Sequence, residues 1–216
     1  MNNIFETLSE TEITQRILDG EKPLYEIIVR RFNPYLYKIG RTYNYNHEDT
    51  QDLMQDTFID AYKNLSQFEG RSNFKTWIIR IMMNNCYRKK QKLSFKNEIM
   101  QDANDASTPL FVSSNNNTDK VVHNKELGNV IEKALEKIPF DYRVVFSLRE
   151  ISGLNVAETS ELLNISETNV KVRLNRAKTM LREQLEKIYS ANELYEFNLI
   201  YCNAIVENVM KKINEL

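Results

Sequence analysis

NVAETSELLNISETNVKVRLNRAKTMLREQL, residues 155–185, contains two amphipathic segments separated by a tight turn. The first segment predicts a short helix through its apolar residues, Val156, Ala157, Leu162 and Leu163. The turn is predicted at Asn164-Ile165-Ser166. The second segment predicts a longer helix whose inner stripe consists of Val170, Leu174, Ala177 and Leu181. A short helix, a turn of about three residues and a longer helix make a helix-turn-helix.

The longer helix of this pair carries polar groups that suit a DNA major groove. Lysine and arginine match guanine edges or phosphates, asparagine matches adenine, and valine matches a thymine methyl group. Ser166 is placed to cap the helix N-terminus, where backbone N–H groups can also meet a phosphate. We predict that this helix contacts duplex DNA, against the alternative of an ordinary solvated basic helix. The predicted contacts are Ser166, Lys171, Val172, Arg173, Asn175, Arg176 and Lys178.

The helix-turn-helix belongs to a helical domain that we place at residues 121–189. One helix is expected near 121–137, before Pro139, and another near 141–151, before Ser152-Gly153. The preceding residues 93–120 are rich in Asn, Asp, Ser and Thr. Such a segment buries too little apolar surface to offset its ordering entropy. We therefore predict a flexible linker there.

Residues 1–92 are expected to form a first helical domain. A helix near 9–19 is predicted to begin at a Ser or Thr cap. A second pattern has its apolar residues at three- and four-residue steps, with Pro34 as the expected break or kink: Tyr25, Ile28, Val29, Phe32, Leu36 and Ile39. The next apolar set consists of Leu53, Phe58, Ile59, Tyr62 and Leu65. Asp52, Asp56 and Asp60 recur every four residues and share one face of that helix.

A basic and aromatic helix, from Phe74 to about Lys92, completes the first domain. Positive charge can follow a phosphate backbone, and aromatic rings can stack on unpaired bases. The basic residues in and before this helix include Arg71, Lys75, Arg80, Arg88, Lys89 and Lys90, interleaved with Phe68, Phe74, Trp77 and Tyr87. Core packing is the expectation for Phe74 and Trp77. Nucleic-acid contact is the expectation for Asn84, Asn85 and Arg88.

Composition limits the classes of protein that this chain can represent. The net charge is −1, but residues 22–92 hold thirteen bases and seven acids, so the positive charge is local. No apolar run approaches the ~20 residues of a membrane span, and the start resembles no signal peptide, so we expect a cytoplasmic protein without membrane insertion. We expect buried thiols at Cys86 and Cys202, and no metal, cofactor or catalytic centre.

Two long strings resemble the extracytoplasmic-function sigma factors, the smallest class of bacterial sigma factor. The first is HEDTQDLMQDTFIDAYKNLSQFEGRSNFKTWIIRIMMNNCYRKK, residues 47–90. It resembles the family pattern of D-x-x-Q-[DE]-x-F, an F-x-G loop and F-x-T-W-[LI]-x-R-I-x-x-N. The second is IPFDYRVVFSLREISGLNVAETSELLNISETNVKVRLNRAKTMLREQL, residues 138–185. The resemblance implies an all-α, non-enzymatic protein of two small helical domains that binds core RNA polymerase and promoter DNA.

The resemblance also implies residue roles. The polymerase-docking positions are Asp52, Leu53, Gln55 and Asp56. The single-strand contacts at the minus-ten element, including a loop pocket for a flipped base, are Phe68, Arg71, Ser72, Asn73, Asn84, Asn85 and Arg88. The predicted duplex contacts of residues 166–178 fall where the family reads the minus-thirty-five element. An anti-sigma factor is a common partner in the family, although no residue pattern here encodes one.

Two other functions remain open, and so does the position of the C-terminal helix. A stand-alone helix-turn-helix regulator explains the second domain but not the first. A helical-bundle metalloenzyme needs Glu-x-x-His pairs on several helices, and the chain has 2 His. Residues 190–216 predict an amphipathic helix, either docked on the second domain or free for a regulator. Its apolar stripe consists of Phe197, Ile200, Tyr201, Ile205, Val209 and Ile213.

Overall fold

The computed structural model describes residues 8–97, 128–187 and 199–214, and all the regular secondary structure in these ranges is helical, as predicted. The α-helices are α1 (Glu10–Leu18), α2 (Tyr25–Thr42), α3 (His47–Lys63), α4 (Phe74–Asn97), α5 (described over 128–136), α6 (Phe140–Phe146), α7 (Val156–Leu163), α8 (Glu167–Glu186) and α9 (Leu199–Asn214). Short 3₁₀ turns lie at Lys22–Leu24 and Leu65–Gln67, and a π turn at Ser147–Ile151 extends α6.

Short polar side chains fix where several of the described helices begin. Ser9 Oγ accepts a hydrogen bond from the Glu12 N–H at the start of α1, which confirms the predicted cap. Ser166 does the same for α8. At α7, Asn155 and Glu158 form a reciprocal capping box. Each such cap satisfies a backbone N–H that has no partner within the helix.

The first domain packs α2, α3 and α4 around one apolar core. Gly40 of α2 lies where these helices come closest. A Cβ atom at this position would lie 2.5 Å from Thr50 Cγ2 and 3.1 Å from the Met82 Cε atom. Glycine is therefore required for the observed spacing of the three helices. The core side chains include Ile28, Phe32, Leu36, Ile39, Leu53, Phe58, Ile78, Ile79 and Met82.

Three details of the first domain differ from the sequence predictions. Helix α2 continues through Pro34, so the break that was one of the two outcomes expected there, break or kink, does not occur. Helix α4 runs to Asn97, beyond the boundary expected at Lys92, because no helix-breaking residue intervenes. Ile59 is 51% exposed and not part of the core. The remainder of the predicted linker lies outside the described residues.

The second domain packs α8 against α6 and α7. Val144, Val145, Leu148 and Val170 are buried between these elements. The predicted helix over residues 141–151 is present, but its second half is a π turn, in which the Ser152 N–H bonds the Ser147 carbonyl at 2.8 Å. The predicted stripe of α8 is confirmed, because Val170 and Ala177 are fully buried and Leu174 and Leu181 are half-buried.

The two domains pack directly against each other at the C-terminal end of α2. Arg41 of α2 pairs with Glu132 of α5, and both side chains are buried. The Thr42 hydroxyl donates to Ser147 Oγ at 2.8 Å. The Tyr43 ring meets the Phe140 ring edge-on, with centroids 4.8 Å apart. The buried apolar cluster therefore continues from one domain into the other.

Helix α9 confirms the amphipathic helix predicted near the C-terminus. Of the predicted stripe, the side chains of Val209 and Ile213 are described, and both are about half exposed, as are the neighbouring Val206 and Met210. Of the two alternatives for this helix, docking on the second domain is therefore not observed at these positions. Cys202 lies where side chains are not described. Across the described ranges, no helix is both long and apolar enough to cross a membrane.

Candidate nucleic-acid interface

Helix α8 presents the outward face that its sequence pattern predicts. Val170 and Ala177 anchor the inner side of the helix in the core. The opposite face is solvent-exposed along Lys171, Val172, Asn175 and Arg176. Val172 is 42% exposed, although it is apolar. This face combines cationic, amide and methyl groups, which are the groups that read base edges in a major groove.

Two other predicted duplex contacts are paired within their own domain. Arg173 Nη2 lies 3.3 Å from Asp141 Oδ2, and its side chain is 24% exposed. Lys178 Nζ lies 2.9 Å from Glu150 Oε1. These pairs tie α8 to α6 and to the π turn that follows α6. Arg173 therefore has a partner within the domain and is mostly covered, whereas Lys178 is paired but keeps half of its side chain exposed.

Tyr142 adds a contact that the sequence pattern did not indicate. Its hydroxyl accepts a hydrogen bond from Arg176 Nη1 at 3.3 Å. This exposed bond joins Arg176 of α8 to α6. The position of Tyr142, in the helix that precedes the helix-turn-helix, gave no sequence signal for this role.

The loop before α4 is supported by an aromatic cluster. The Phe68 ring centroid lies 5.0 Å from that of Phe74 and 5.3 Å from that of Trp77. Phe74 is 2% exposed, whereas Phe68 and Trp77 are half-buried. The core packing predicted for Phe74 is thus confirmed. The exposed edges of Phe68 and Trp77 can still meet a base.

The polar residues of this loop have distinct environments. Arg71 pairs with Glu69, and both side chains are exposed. Asn73 Oδ1 accepts a hydrogen bond from the Lys75 N–H at 2.9 Å and caps the start of α4. Gly70 has φ +70°, a backbone conformation that residues other than glycine and asparagine rarely adopt. Ser72 is half-buried.

Asn84 and Asn85 point to different sides of α4. Asn84 and Arg88 are exposed and lie four residues apart on one face. Tyr87, which is 57% exposed, shares this face. Asn85 instead donates through Nδ2 to Asp60 Oδ2 at 3.1 Å, which joins α4 to α3. The structure therefore places Asn84 and Arg88 together as candidate contacts and gives Asn85 a partner within the fold.

The acidic face of α3 forms a separate surface. Asp52, Gln55 and Asp56 are exposed, whereas Leu53 is 4% exposed and packs in the core. Leu53 therefore supports the predicted docking face from beneath and does not lie on it. Ile59 lies one turn beyond Gln55, so an apolar side chain extends this acidic surface.

Several ionisable groups lie in the core and have shifted pKa values. Cys86 is 0% exposed, and burial raises the pKa of its thiol to about 12. Burial likewise raises the pKa of the Tyr43 and Tyr45 hydroxyl groups, and it lowers the pKa of Arg143. The Cys86 thiol is therefore protonated at neutral pH. The buried thiol predicted at this position is confirmed.

Family comparisons match both domains. Residues 28–95 match the family model described as Sigma-70 region 2, and residues 129–181 match the one described as Sigma-70, region 4. The two matches together make up more than half of the chain. This chain belongs to the sigma-70 family, in its extracytoplasmic-function class. Region 2 contains α3 and most of α4, and region 4 contains the helix-turn-helix.

Individual sigma factors are similar over nearly their full length. The Bacillus subtilis ECF RNA polymerase sigma factor SigW is 29% identical over 180 residues, covering 81% of this chain and 95% of that protein. The Haemophilus influenzae ECF RNA polymerase sigma-E factor is 24% identical over 187 residues, covering 85% and 98%.

Two solved structures share the fold. The Bartonella quintana sigma factor RpoE, in complex with the anti-sigma factor NepR, has a TM-score of 0.58 and 24% identity, covering 71% of this chain and 91% of that one. CnrH, in complex with the cytosolic domain of CnrY, has a TM-score of 0.57 and 22% identity, covering 81% and 96%.

Proposed function

We propose that this sigma factor reads its promoters with two surfaces, one for duplex DNA and one for a melted strand. The outer face of α8 reads the minus-thirty-five element through Lys171, Val172, Asn175 and Arg176. The loop before α4 and the exposed face of α4 hold the non-template strand of the minus-ten element. The observation that carries this proposal is the presence, in one chain, of a capped helix-turn-helix and a separate basic and aromatic helix.

Strand opening follows from preferential binding of the unpaired state. Extruding a base costs a few kcal/mol, and stacking on an aromatic side chain is worth about 1–3 kcal/mol per base. Phe68 and Trp77 supply aromatic edges next to the loop, and Asn84 and Arg88 supply polar contacts one helical turn apart. Phosphate contacts add a contribution that weakens as salt concentration rises. No covalent step is needed, so we propose a non-enzymatic role.

The acidic face of α3 is proposed to dock on core RNA polymerase. Asp52 and Asp56 provide charge, and the exposed Ile59 provides apolar area between charged neighbours. Once polymerase holds both domains, each DNA contact raises the effective concentration of the other. The protein would act in the cytoplasm, where polymerase works. We also propose an anti-sigma factor as a regulator, since the similar Bartonella quintana sigma factor RpoE is in complex with the anti-sigma factor NepR.

Run-off transcription tests this function. Purified core RNA polymerase is assayed with and without the protein on fragments of the source genome, and the Asp52→Lys/Asp56→Lys variant serves as a docking-defective control. We expect new, discrete start sites with the parent protein and their loss with the control. Absence of new starts, together with tight binding of the free protein to promoter duplex, would favour a stand-alone regulator.

A further inference from the structure

The C-terminal half of α9 separates apolar from charged side chains and leaves both exposed. Every side chain described at 206–213 is exposed to solvent. Four of them are apolar and 48–53% exposed, and these are Val206, Val209, Met210 and Ile213. Helices shorter than about 12–15 residues are marginal in water on their own, and α9, with 16 residues, is barely longer. The stability of α9 therefore calls for a partner that covers these apolar side chains.

The apolar residues of α9 recur in alternating steps of three and four. The series consists of Leu199, Cys202, Val206, Val209, Ile213 and Leu216, the last of which lies outside the described residues. A repeat of ~3.5 residues is the pattern of a coiled coil, since it keeps one apolar seam facing a partner helix. With Leu199 at heptad position a, Val206 and Ile213 also lie at a, and Val209 lies at d.

The charged residues of α9 leave this seam clear. Glu207 lies at position b, Lys211 at f and Lys212 at g. In a parallel pair, position g of one helix faces the following position e of the other. These two positions hold Ile205 and Met210, so both flanks of the seam match a second copy of the same helix. An antiparallel pair faces g with g and would bring Ile205 towards Lys212 instead.

The composition of α9 favours a second copy over a membrane surface. Residues 199–216 hold two lysines and two glutamates, so their net charge is zero. Amphipathic helices that lie on anionic membranes have a polar face rich in Lys and Arg. Branched side chains at position a, such as Val206 and Ile213, favour two-stranded pairs. Position d holds Cys202 and Val209 where leucine is preferred, so we expect weak association, in the micromolar range.

We propose that α9 is a self-association helix through which two copies of this chain pair as a parallel coiled coil. The interaction surface is the seam around Val206, Val209 and Ile213, and its partner is the same seam of the second copy. None of these residues belongs to the surfaces proposed for DNA or polymerase. The pairing therefore goes beyond the proposed function and does not depend on it.

The first test is sedimentation of the full-length protein from about 2 to about 200 µM, where mass action shifts a weak dimer. We expect monomer and dimer to exchange in the parent. Val206→Asp should weaken the dimer by at least about tenfold, because two carboxylates would face each other in the seam. The control Asn208→Asp adds the same charge at exposed position c and should associate like the parent.

Two results of this test would overturn the proposal. One is a parent that stays monomeric at the highest concentration, and the other is equal weakening in both variants. A monomeric parent that instead binds vesicles of anionic lipid would assign α9 to a membrane surface.

The second test mixes variants of opposite charge at one position. Val206→Glu and Val206→Lys should each associate poorly alone, whereas their equimolar mixture should associate at least about tenfold more tightly, since position a faces position a in a parallel pair. Recovery on mixing distinguishes a lost contact from a lost helix. The mixture of Asn208→Glu with Asn208→Lys is the control and should gain nothing. Absence of recovery at position 206 would refute the parallel pairing.

Cys202 reports on the orientation of the pair. In a parallel pair the two Cys202 residues face each other, so diamide, which takes up the two hydrogen atoms released, should join two thiols in a disulfide. An antiparallel pair with Val206 opposite Val209 sets Cys202 opposite Ile213, 11 residues from the other cysteine. That separation is roughly 16 Å, too far for a disulfide. Cys86 is buried and should not react, and Cys202→Ser is the control. A parent that forms no covalent dimer at about 200 µM would contradict the proposal.

Discussion

Arg41 and Glu132, which are 91 positions apart in the chain, form a buried ion pair between the two domains, with side chains 3% and 7% exposed. Arg41 Nε donates to Glu132 Oε1 at 2.7 Å, and Nη1 also donates to the Tyr45 carbonyl at 2.6 Å. Both ions have lost most of their hydration. Each is therefore tolerated in this position because the other domain supplies its counter-charge.

Removing one member of this pair should be more damaging than replacing both. We expect Glu132→Gln to lower the free energy of unfolding by about 3–5 kcal/mol, because Arg41 keeps a buried charge without its carboxylate. The double variant Arg41→Met/Glu132→Leu should lie closer to the parent, since two apolar side chains of similar volume need no hydration. Urea unfolding checks both variants. Equal losses in the two would contradict the pairwise account.

The helix-turn-helix was predictable because its turn chemistry is local. Asn164 ends α7 in the left-handed conformation, with φ 52°, and asparagine tolerates this region better than most residues. Ser166 then caps α8 two residues later. Both signals are visible in the sequence, as is the apolar stripe that includes Val170. The outer face of α8 followed from these three features.

The contact between domains was not predictable from local pattern. Arg41, Glu132 and Arg143 are charged, and charged residues are mostly exposed, so periodicity assigned them no buried role. Their partners are distant in sequence, and nothing local indicates such pairing. The apolar pattern of α3 was right for Leu53, which is buried, and wrong for Ile59, which is exposed. The docking role that the family resemblance implied for Leu53 is therefore wrong, because its side chain does not reach the surface.

Asn84 and Asn85 offer a matched test of strand opening. Asn84→Ala should reduce permanganate reactivity of the melted minus-ten region while leaving thermal stability near that of the parent, because Asn84 is exposed. Asn85→Ala should instead lower the free energy of unfolding by about 0.5–1.5 kcal/mol, because its hydrogen bonds to Asp60 and Thr57 are lost. Parent-like permanganate reactivity in Asn84→Ala would remove Asn84 from the proposed strand contacts.

Comparing variants of Arg176 and Arg173 distinguishes a residue that contacts DNA bases from one that holds α8 in its domain. Arg176→Ala should weaken binding to the minus-thirty-five element by about 1–3 kcal/mol and relax the sequence preference at one base pair. Arg173→Ala should lower stability through its pair with Asp141 and leave the ranking of promoter variants unchanged. Run-off transcription across a panel of minus-thirty-five variants measures the promoter ranking for both variants, and urea unfolding measures the stability of Arg173→Ala. A preserved ranking with Arg176→Ala would exclude base-specific contact by this side chain.

Cys86 should make the fold sensitive to alkaline pH. The pKa of its thiol is raised to about 12 by burial, above its ordinary value of ~8.5 in an unfolded chain. Between these values the unfolded state has lost the proton while the folded state keeps it. The unfolded state therefore binds fewer protons, and the free energy of unfolding falls with pH by up to about 1.4 kcal/mol per unit. Below pH ~8 this contribution is constant.

The variant Cys86→Ala isolates this effect from other alkaline titrations. At pH 7.5 it should be less stable than the parent, because it removes a fully buried sulfur atom. The gap should narrow as pH rises from ~9 towards 11, because only the parent loses the thiol contribution. Burial raises the pKa of Tyr43 and Tyr45 in both proteins, and that contribution cancels in the comparison. The part of both pKa increases that comes from Cys86 is absent from the variant, which narrows the gap further. Urea unfolding at pH 7.5, 9 and 10 measures the gap, and a constant gap would show that the buried thiol does not control the alkaline loss of stability.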